Sequence, residues 1–102
     1  MGGQILVSEC ENEVTIKING RFDFSVHKEF RSAYEAALKN DKLGRCVVDL
    51  QSTEYIDSSA LGMLLMMRER IGERAKIELV RCNKEIRSTL DISNFHKLFD
   101  IR

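Results

Sequence analysis

The sequence predicts an α/β fold: one domain with a mixed β-sheet of four to five strands packed by about three to four helices. Three observations predict it. Short runs of β-branched residues alternate along the chain with stretches whose apolar residues recur at helical spacing. At 102 residues and 43% hydrophobic content, the chain has material for one core and not for two. Its centre, VVDLQSTEYIDSSALGMLLMM from Val47 to Met67, reads as a buried strand feeding a buried helix through a short polar loop.

Residues 1–4 are expected to form a loose start. Ile5 to Val7, then Val14, Ile16 and Ile18 alternating with Thr15 and Lys17, predict an antiparallel hairpin with a loose turn over Ser8 to Glu13. Asn19-Gly20 ends the second strand, and Ser25 stands where it could cap the first helix. That helix is expected from about Val26 to Leu38, with Val26, Phe30, Ala33, Tyr34, Ala37 and Leu38 on one face. Lys28, Glu29, Arg31 and Glu35 fall on its solvated face. Gly44 turns the chain into the central strand, Cys46 to Leu50. A helix between parallel neighbouring strands implies a right-handed crossover.

From Ala60 the second helix carries Leu61, Met63, Leu64, Leu65, Met66 and Met67 with almost no polar face, so it is expected to be enclosed, its methionines filling core. Ile71 to Arg74 ends it, and Ile77 to Val80 is a fourth strand. Asn83 caps a third helix containing Ile86 and Leu90. Ile92, Phe95, Leu98 and Phe99 form an apolar tail with a short last strand near Phe99 to Ile101. The whole chain, residues 1–102, reads as a single domain.

Composition excludes several classes of function. Lys plus Arg and Asp plus Glu both number 16, leaving no basic excess for a nucleic-acid backbone. The longest apolar stretch, Ala60 to Met67, is far short of the roughly 20 residues that span a bilayer, so no membrane insertion is expected. No signal peptide is evident, and a cytoplasmic location is expected. Cys10, Cys46 and Cys82 are widely spaced and read as reduced thiols. There is no GxSxG elbow, no phosphate-binding loop and no metal-ligand spacing around His27 or His96, so neither an enzyme nor a cofactor is indicated. Asp23, Glu54 and Asp57 could form a carboxylate group, but loop bonding and capping are their ordinary roles.

The remaining polar constellation is Asp57-Ser58-Ser59. Any of the three could cap the helix that follows. A serine at the carboxyl end of a strand and the start of a helix is also well placed to act as a charge switch, because a phosphate there would face the positive end of the helix dipole. Phe22 and Phe24 alternate around Asp23, so an extended segment must point one of them outward.

At these residues the chain resembles a known family. IDSSALG is similar to the D-S-[ST]-G-[LIVM]-G stretch of the bacterial STAS domains, the anti-sigma factor antagonists. INGRFDF resembles that family's strand ending in G-x-x-D, at Gly20 and Asp23, and ISNFHKLFDI resembles its C-terminal segment. Ala60 and Asn94 stand where the family commonly has glycine. The resemblance implies phosphorylation of Ser58, with Asp57 orienting the turn and Ser59 a secondary cap. It implies a partner-binding surface of Asp23, Asp57, Ser58, Ser59, Leu61 and Gly62. The implied partners are an anti-sigma factor or serine kinase, bound by the unphosphorylated form, and a PP2C-type phosphatase; the protein itself would be a monomer or weak homodimer. The alternative is a STAS regulator of another output, such as biofilm or motility control, a stressosome-like scaffold or a lipid-transport accessory. No charged side chain of the loop itself offers to neutralise an added phosphate.

Overall fold

Gln4–Cys10 (β1) and Glu13–Phe22 (β2) pair antiparallel without interruption, from Gln4 opposite Asn19 to Cys10 opposite Glu13. The computed structural model describes residues 3–102. Of the expected loose start, residues 1 and 2 lie outside the described residues, while Gln4 is already in β1. The turn is tight rather than loose: only Glu11 and Asn12 intervene, and Glu11 takes a left-handed φ of 55°.

Three parallel strands extend the sheet from β2. His27–Ala37 (α1) leads to Arg45–Asp49 (β3), Ser58–Ile71 (α2) leads to Lys76–Val80 (β5), and Lys84–Ile92 (α3) leads to Asp100–Ile101 (β6). The strand order β1-β2-β3-β5-β6 steps in one direction after the hairpin. Right-handed crossovers that always step the same way lay their helices on the same face. The burial pattern agrees. Val14, Ile16, Ile18, Cys46, Val48, Ile77 and Leu79 all alternate onto one face and join Phe30, Tyr34, Leu64, Met67, Ile86 and Leu90 in a single core. Burial pushes the Cys46 thiol up to about 12, which keeps it protonated and inert.

The α/β class with a mixed sheet holds, but the sheet has six strands. The added one is Thr53–Ile56 (β4), in the stretch expected to be loop. Its polar residues Thr53 and Glu54 hide it from a reading by apolar pattern. β3 pairs with Glu13 to Lys17 of β2, and β4 resumes parallel pairing with Gly20 to Phe22 of the same strand. β3 and β4 are thus one strand interrupted at Leu50 to Ser52. β2 does not end at Gly20 as expected; it runs on to Phe22, and the register shifts after Gly20, where one step on β2 matches two on β4 and leaves Glu54 as the extra residue, with Gly20 at φ 82° and its N–H donating to the Ser52 carbonyl at 2.8 Å. Glycine suits this register shift because the backbone there takes a positive φ, which costs a residue without Cβ nothing.

The two other local expectations that fail concern α1 and α2. Ser25 does not cap α1: it lies in a 3-10 turn, Phe24–Val26, that precedes the helix, and Val26 occupies the cap position without a side-chain bond. α2 is not enclosed. Ala60, Leu64, Met67 and Ile71 face the core, but Leu65 and Met66 are exposed, Met66 at 60%. The helix lies on one side of the sheet with its far face bare, so an all-round apolar sequence leaves apolar groups in water. Asn83 caps α3 as expected, accepting the Ile86 N–H at 2.8 Å. Asn94 holds a left-handed φ of 61° after α3, a conformation that glycine and asparagine tolerate best.

The sheet face turned away from the helices is closed by charge. Glu78 is 1% exposed and Asp49 3% exposed, yet neither lies in the apolar core. Arg45 reaches across from β3 and grips Glu78 with two N–H groups at 2.9 and 2.7 Å, Arg102 adds a contact at 3.1 Å, and Arg45 also holds Glu13. Arg81 covers Asp49 in the same way. The arginines are the lids, about half exposed, and the carboxylates are the buried partners. Hydrogen bonding from Arg45 outweighs burial and holds Glu78 below the ordinary glutamate value. For Asp49 burial pushes upward, but the Arg81 guanidinium and the Gln51 N–H together bring it below the ordinary aspartate value.

Removing a lid should cost more than neutralising what it covers. Arg45→Met is expected to destabilise the domain, because it leaves a buried carboxylate to Arg102 alone, and Glu78→Gln by less, because the freed arginines return to water. Urea unfolding of the two variants measures both. Because Glu78 and Asp49 bind protons less readily folded than unfolded, their stabilisation is complete above the ordinary values of 4.5 and 3.8 and is lost as pH falls through the lowered folded values. Thermal unfolding should therefore be nearly pH-independent from 7 down to about 5 and fall steeply below about 4, with Glu78→Gln flattening part of that fall.

Candidate functional site

Two aspartates, each following the last residue of a parallel strand, sit side by side at one end of the sheet. Phe22 pairs with Ile56, so the next residues, Asp23 after β2 and Asp57 after β4, leave the sheet at the same level. Both have the same extended backbone, φ −142° and ψ −170° at Asp23, φ −126° and ψ −174° at Asp57. Both also accept one backbone N–H and one serine hydroxyl from the turn that follows. Asp23 accepts the backbone N–H and the hydroxyl of Ser25, at 3.0 and 2.5 Å. Asp57 accepts the N–H of Ala60 at 3.0 Å and the hydroxyl of Ser59 at 2.6 Å. Asp-x-Ser is thus used twice, each aspartate capping the turn that starts beside it.

This arrangement separates the two serines of the loop. The Ser59 hydroxyl is committed to Asp57 and is half buried. Ser58, the first residue of α2, is exposed, and its hydroxyl has no hydrogen-bond partner among the described residues. Ala60 is fully buried, so its methyl group lies under the turn in the core and not on the surface that carries Ser58. Leu61 is half buried and Gly62 exposed on the same helix. A side chain at Gly62 would meet nothing within 4 Å, so neither packing nor backbone conformation within the domain demands glycine there.

Several residues around these were not legible as site residues. Arg21 donates to Asp23 at 3.2 Å and lies over the Tyr55 ring, 4.3 Å from its centroid, joining β2 to β4. It supplies the cation beside the loop that the loop's own sequence lacks. Phe22 is buried and Phe24 points out at 63% exposure, stacked on His27 with ring centroids 3.9 Å apart. His27 in turn donates to the Phe24 carbonyl at 2.9 Å, which holds that pair in place. Phe24, Tyr55, Leu65 and Met66 are all exposed apolar side chains on the elements that carry the two aspartates. The alternation of Phe22 and Phe24 was a readable signal; nothing in the sequence marked Tyr55 or Arg21.

Bonds from Ser25 and from Arg21 hold the Asp23 carboxyl below the ordinary aspartate value, so it is an anion throughout the physiological range. Asp23, Glu54 and Asp57 do not assemble as a metal group: among the described residues no three His, Cys, Asp or Glu side chains are placed to hold a metal ion. Asp57 directs Oδ1 to the turn that it caps, and Asp23 divides its oxygens between its own turn and Arg21. Among the described residues no helix is long and apolar enough to cross a membrane.

Comparison with known proteins agrees with this fold. The family model described as "Mlab, STAS domain" matches residues 5–100. A STAS-domain containing protein of Pseudomonas aeruginosa (strain UCBPP-PA14) is 52% identical over 97 residues, which is 94% of each chain. An anti-sigma factor antagonist from Mycobacterium paratuberculosis has a similar structure, with a TM-score of 0.85 at 19% identity over 98% of this chain and 85% of that one. The anti-sigma factor antagonist SpoIIAA in its unphosphorylated form gives a TM-score of 0.74 at 17% identity over 97% of this chain and 87% of its own; the Bacillus protein is also solved in a phosphorylated form. With its fold shared by the anti-sigma factor antagonists and nearly its whole length matched by the family model, the chain belongs to the STAS domain family.

Proposed function

We propose that this STAS domain is an anti-sigma factor antagonist, a binding module switched by phosphorylation of Ser58. The observation that carries the reading is the division of labour in the loop: the Ser59 hydroxyl is tied to Asp57 while Ser58 is exposed and unbonded at the first position of α2. Binding is the output, and no catalytic step is assigned to the domain. The unmodified form presents Asp23, Asp57, Ser58, Ser59, Leu61 and Gly62, flanked by Phe24, Leu65 and Met66, to an anti-sigma factor or serine kinase. Exposed aromatic and methionine side chains around a polar centre suit such an interface.

Phosphate on Ser58 adds about −1.5 to −2 charge where the partner packs. Asp57, immediately before it, and Asp23, at the same sheet level, face that charge with their own. The start of α2 tolerates the phosphate within the domain through its free N–H groups and dipole. The domain survives modification and the complex does not. A PP2C-type phosphatase resets the switch, and the whole cycle runs in the cytoplasm. A second reading keeps the same surface but couples it to an output other than a sigma factor; the Mlab description of the matching model favours it.

Intact and peptide mass spectrometry of protein from its native cell, with and without phosphatase, is the first test. Phosphate is expected on the peptide containing Asp57-Ser58-Ser59 and absent from Ser58→Ala. Ser58→Ala should bind the captured partner constitutively, whereas Ser58→Asp, which supplies only one charge, should bind it about tenfold or more weakly. Wild-type affinity in Ser58→Asp would sink the charge-switch idea. Gly62→Ala separates structure from function. It should stabilise α2 by about 0.5–1 kcal/mol in thermal unfolding, because the site has open space, and yet weaken partner binding in calorimetry.

A further inference from the structure

We infer that β1 is a homodimerisation edge, through which two copies of this chain pair antiparallel into one continuous sheet. Among the described residues β1 pairs only with β2, so its other side is a sheet edge seven residues long. Edge strands are normally blunted by charged side chains, above all lysine, by proline or by a bulge. Gln4–Cys10 has no lysine, proline or bulge and a single charge, Glu9 near its end: the sequence is QILVSEC, its pairing with β2 is uninterrupted, and Leu6 and Val7 stand 45% and 48% exposed.

The hairpin determines which backbone groups are free. Cys10 and Glu13 flank a two-residue turn, so they exchange both hydrogen bonds, and along β1 the bonded positions are Cys10, Ser8, Leu6 and Gln4. The N–H and C=O groups of Ile5, Val7 and Glu9 therefore point out of the sheet. A two-fold axis at Val7 matches this set to itself. Val7 meets its own copy, and Ile5 meets Glu9 at both ends, so every outward group finds a complement.

The side chains fit the same register. Ile5, Val7 and Glu9 lie on the helix side of β1, where Ile5 and Val7 form the wall of an apolar groove of about 470 Å³ against Lys28, Ser32, Ala33 and Ala36 of α1. Glu9 of the second copy arrives beside Ile5, at the end of β1 where α1 begins with Lys28. Glu29 also lines the groove, but no two acidic residues of the strands face each other in this register. On the other face Leu6 meets Ser8, and Gln4 meets Cys10. The pairing engages β1 and α1 and leaves α2 with Ser58 outside, so it is independent of the switch.

Sedimentation equilibrium of the full chain from micromolar to millimolar concentration tests the proposal. A monomer–dimer equilibrium is expected. Val7→Pro removes an N–H that points outward, so it spares the hairpin while weakening the dimer about tenfold or more, and Val7→Lys, which keeps the N–H and places a charge on the axis, should do the same. Circular dichroism confirms that either variant is folded. Paired Cα atoms on the axis would lie about 5.5 Å apart, within disulfide reach. Val7→Cys in a Cys10→Ser background should therefore oxidise to a covalent dimer. A wild-type monomer at every concentration with no cross-link overturns the proposal, as does a dimer that persists in both folded Val7 variants.

Discussion

The pairing of Gly20 to Phe22 with Thr53 to Ile56 is the constraint on which the site depends. Without β4, the chain would leave β3 at Asp49 and the loop before α2 would have no fixed relation to β2. With it, two strands run in parallel to the same level and release two aspartates together. The extra residue on β4, Glu54, sets the phase, turning Ile56 into the core opposite Phe22 so that Asp57 emerges next to Asp23. Each aspartate then satisfies free N–H or hydroxyl groups of the turn that it starts, a satisfied local network that holds the neighbouring backbone in one conformation.

The one-sided placement of the helices has two consequences that work against each other. It collects all apolar side chains into one core, which suits a chain of 102 residues. It also leaves the opposite sheet face without a layer to cover it. There, arginines from β3, from the end of β5 and from the C-terminus lie over two carboxylates and exclude water from them. Planar guanidinium groups with several fixed donors are suited to this, since a single side chain can cover and bond at once. The same one-sidedness exposes Leu65 and Met66 on the outer side of α2, close in sequence to the serine loop.

Within the STAS family relation, the departures from the common pattern have local physical explanations. Asn94 is in the left-handed region, where asparagine is the usual substitute for glycine. Ala60 is buried beneath the turn, so its methyl group adds core contact without reaching the surface that carries Ser58. Gly62 shows the opposite case. It is a mid-helix glycine with open space around it, so its cost to helix stability is not offset by any contact within the domain.

Local pattern alone determined much of this protein. The alternation of Val14, Ile16 and Ile18, the stripe from Val26 to Leu38, the caps at Asp57 and Asn83 and the order of strand and helix were legible because each depends on residues within one or two turns of each other. The serine loop was legible for the same reason. Tertiary structure decided the rest. β4 forms because β2 offers it an edge, although its own residues are half polar. Which side of α2 is wet depends on which side the sheet occupies, and an all-round apolar helix carries no mark of that. Arg21 becomes part of the site only because β2 and β4 bring it over Tyr55, 34 residues away, and the burial of Asp49 and Glu78 depends on arginines 32 and 33 residues distant. Contacts between strands far apart in the chain leave no periodic signal in either strand, so only the folded sheet could reveal them.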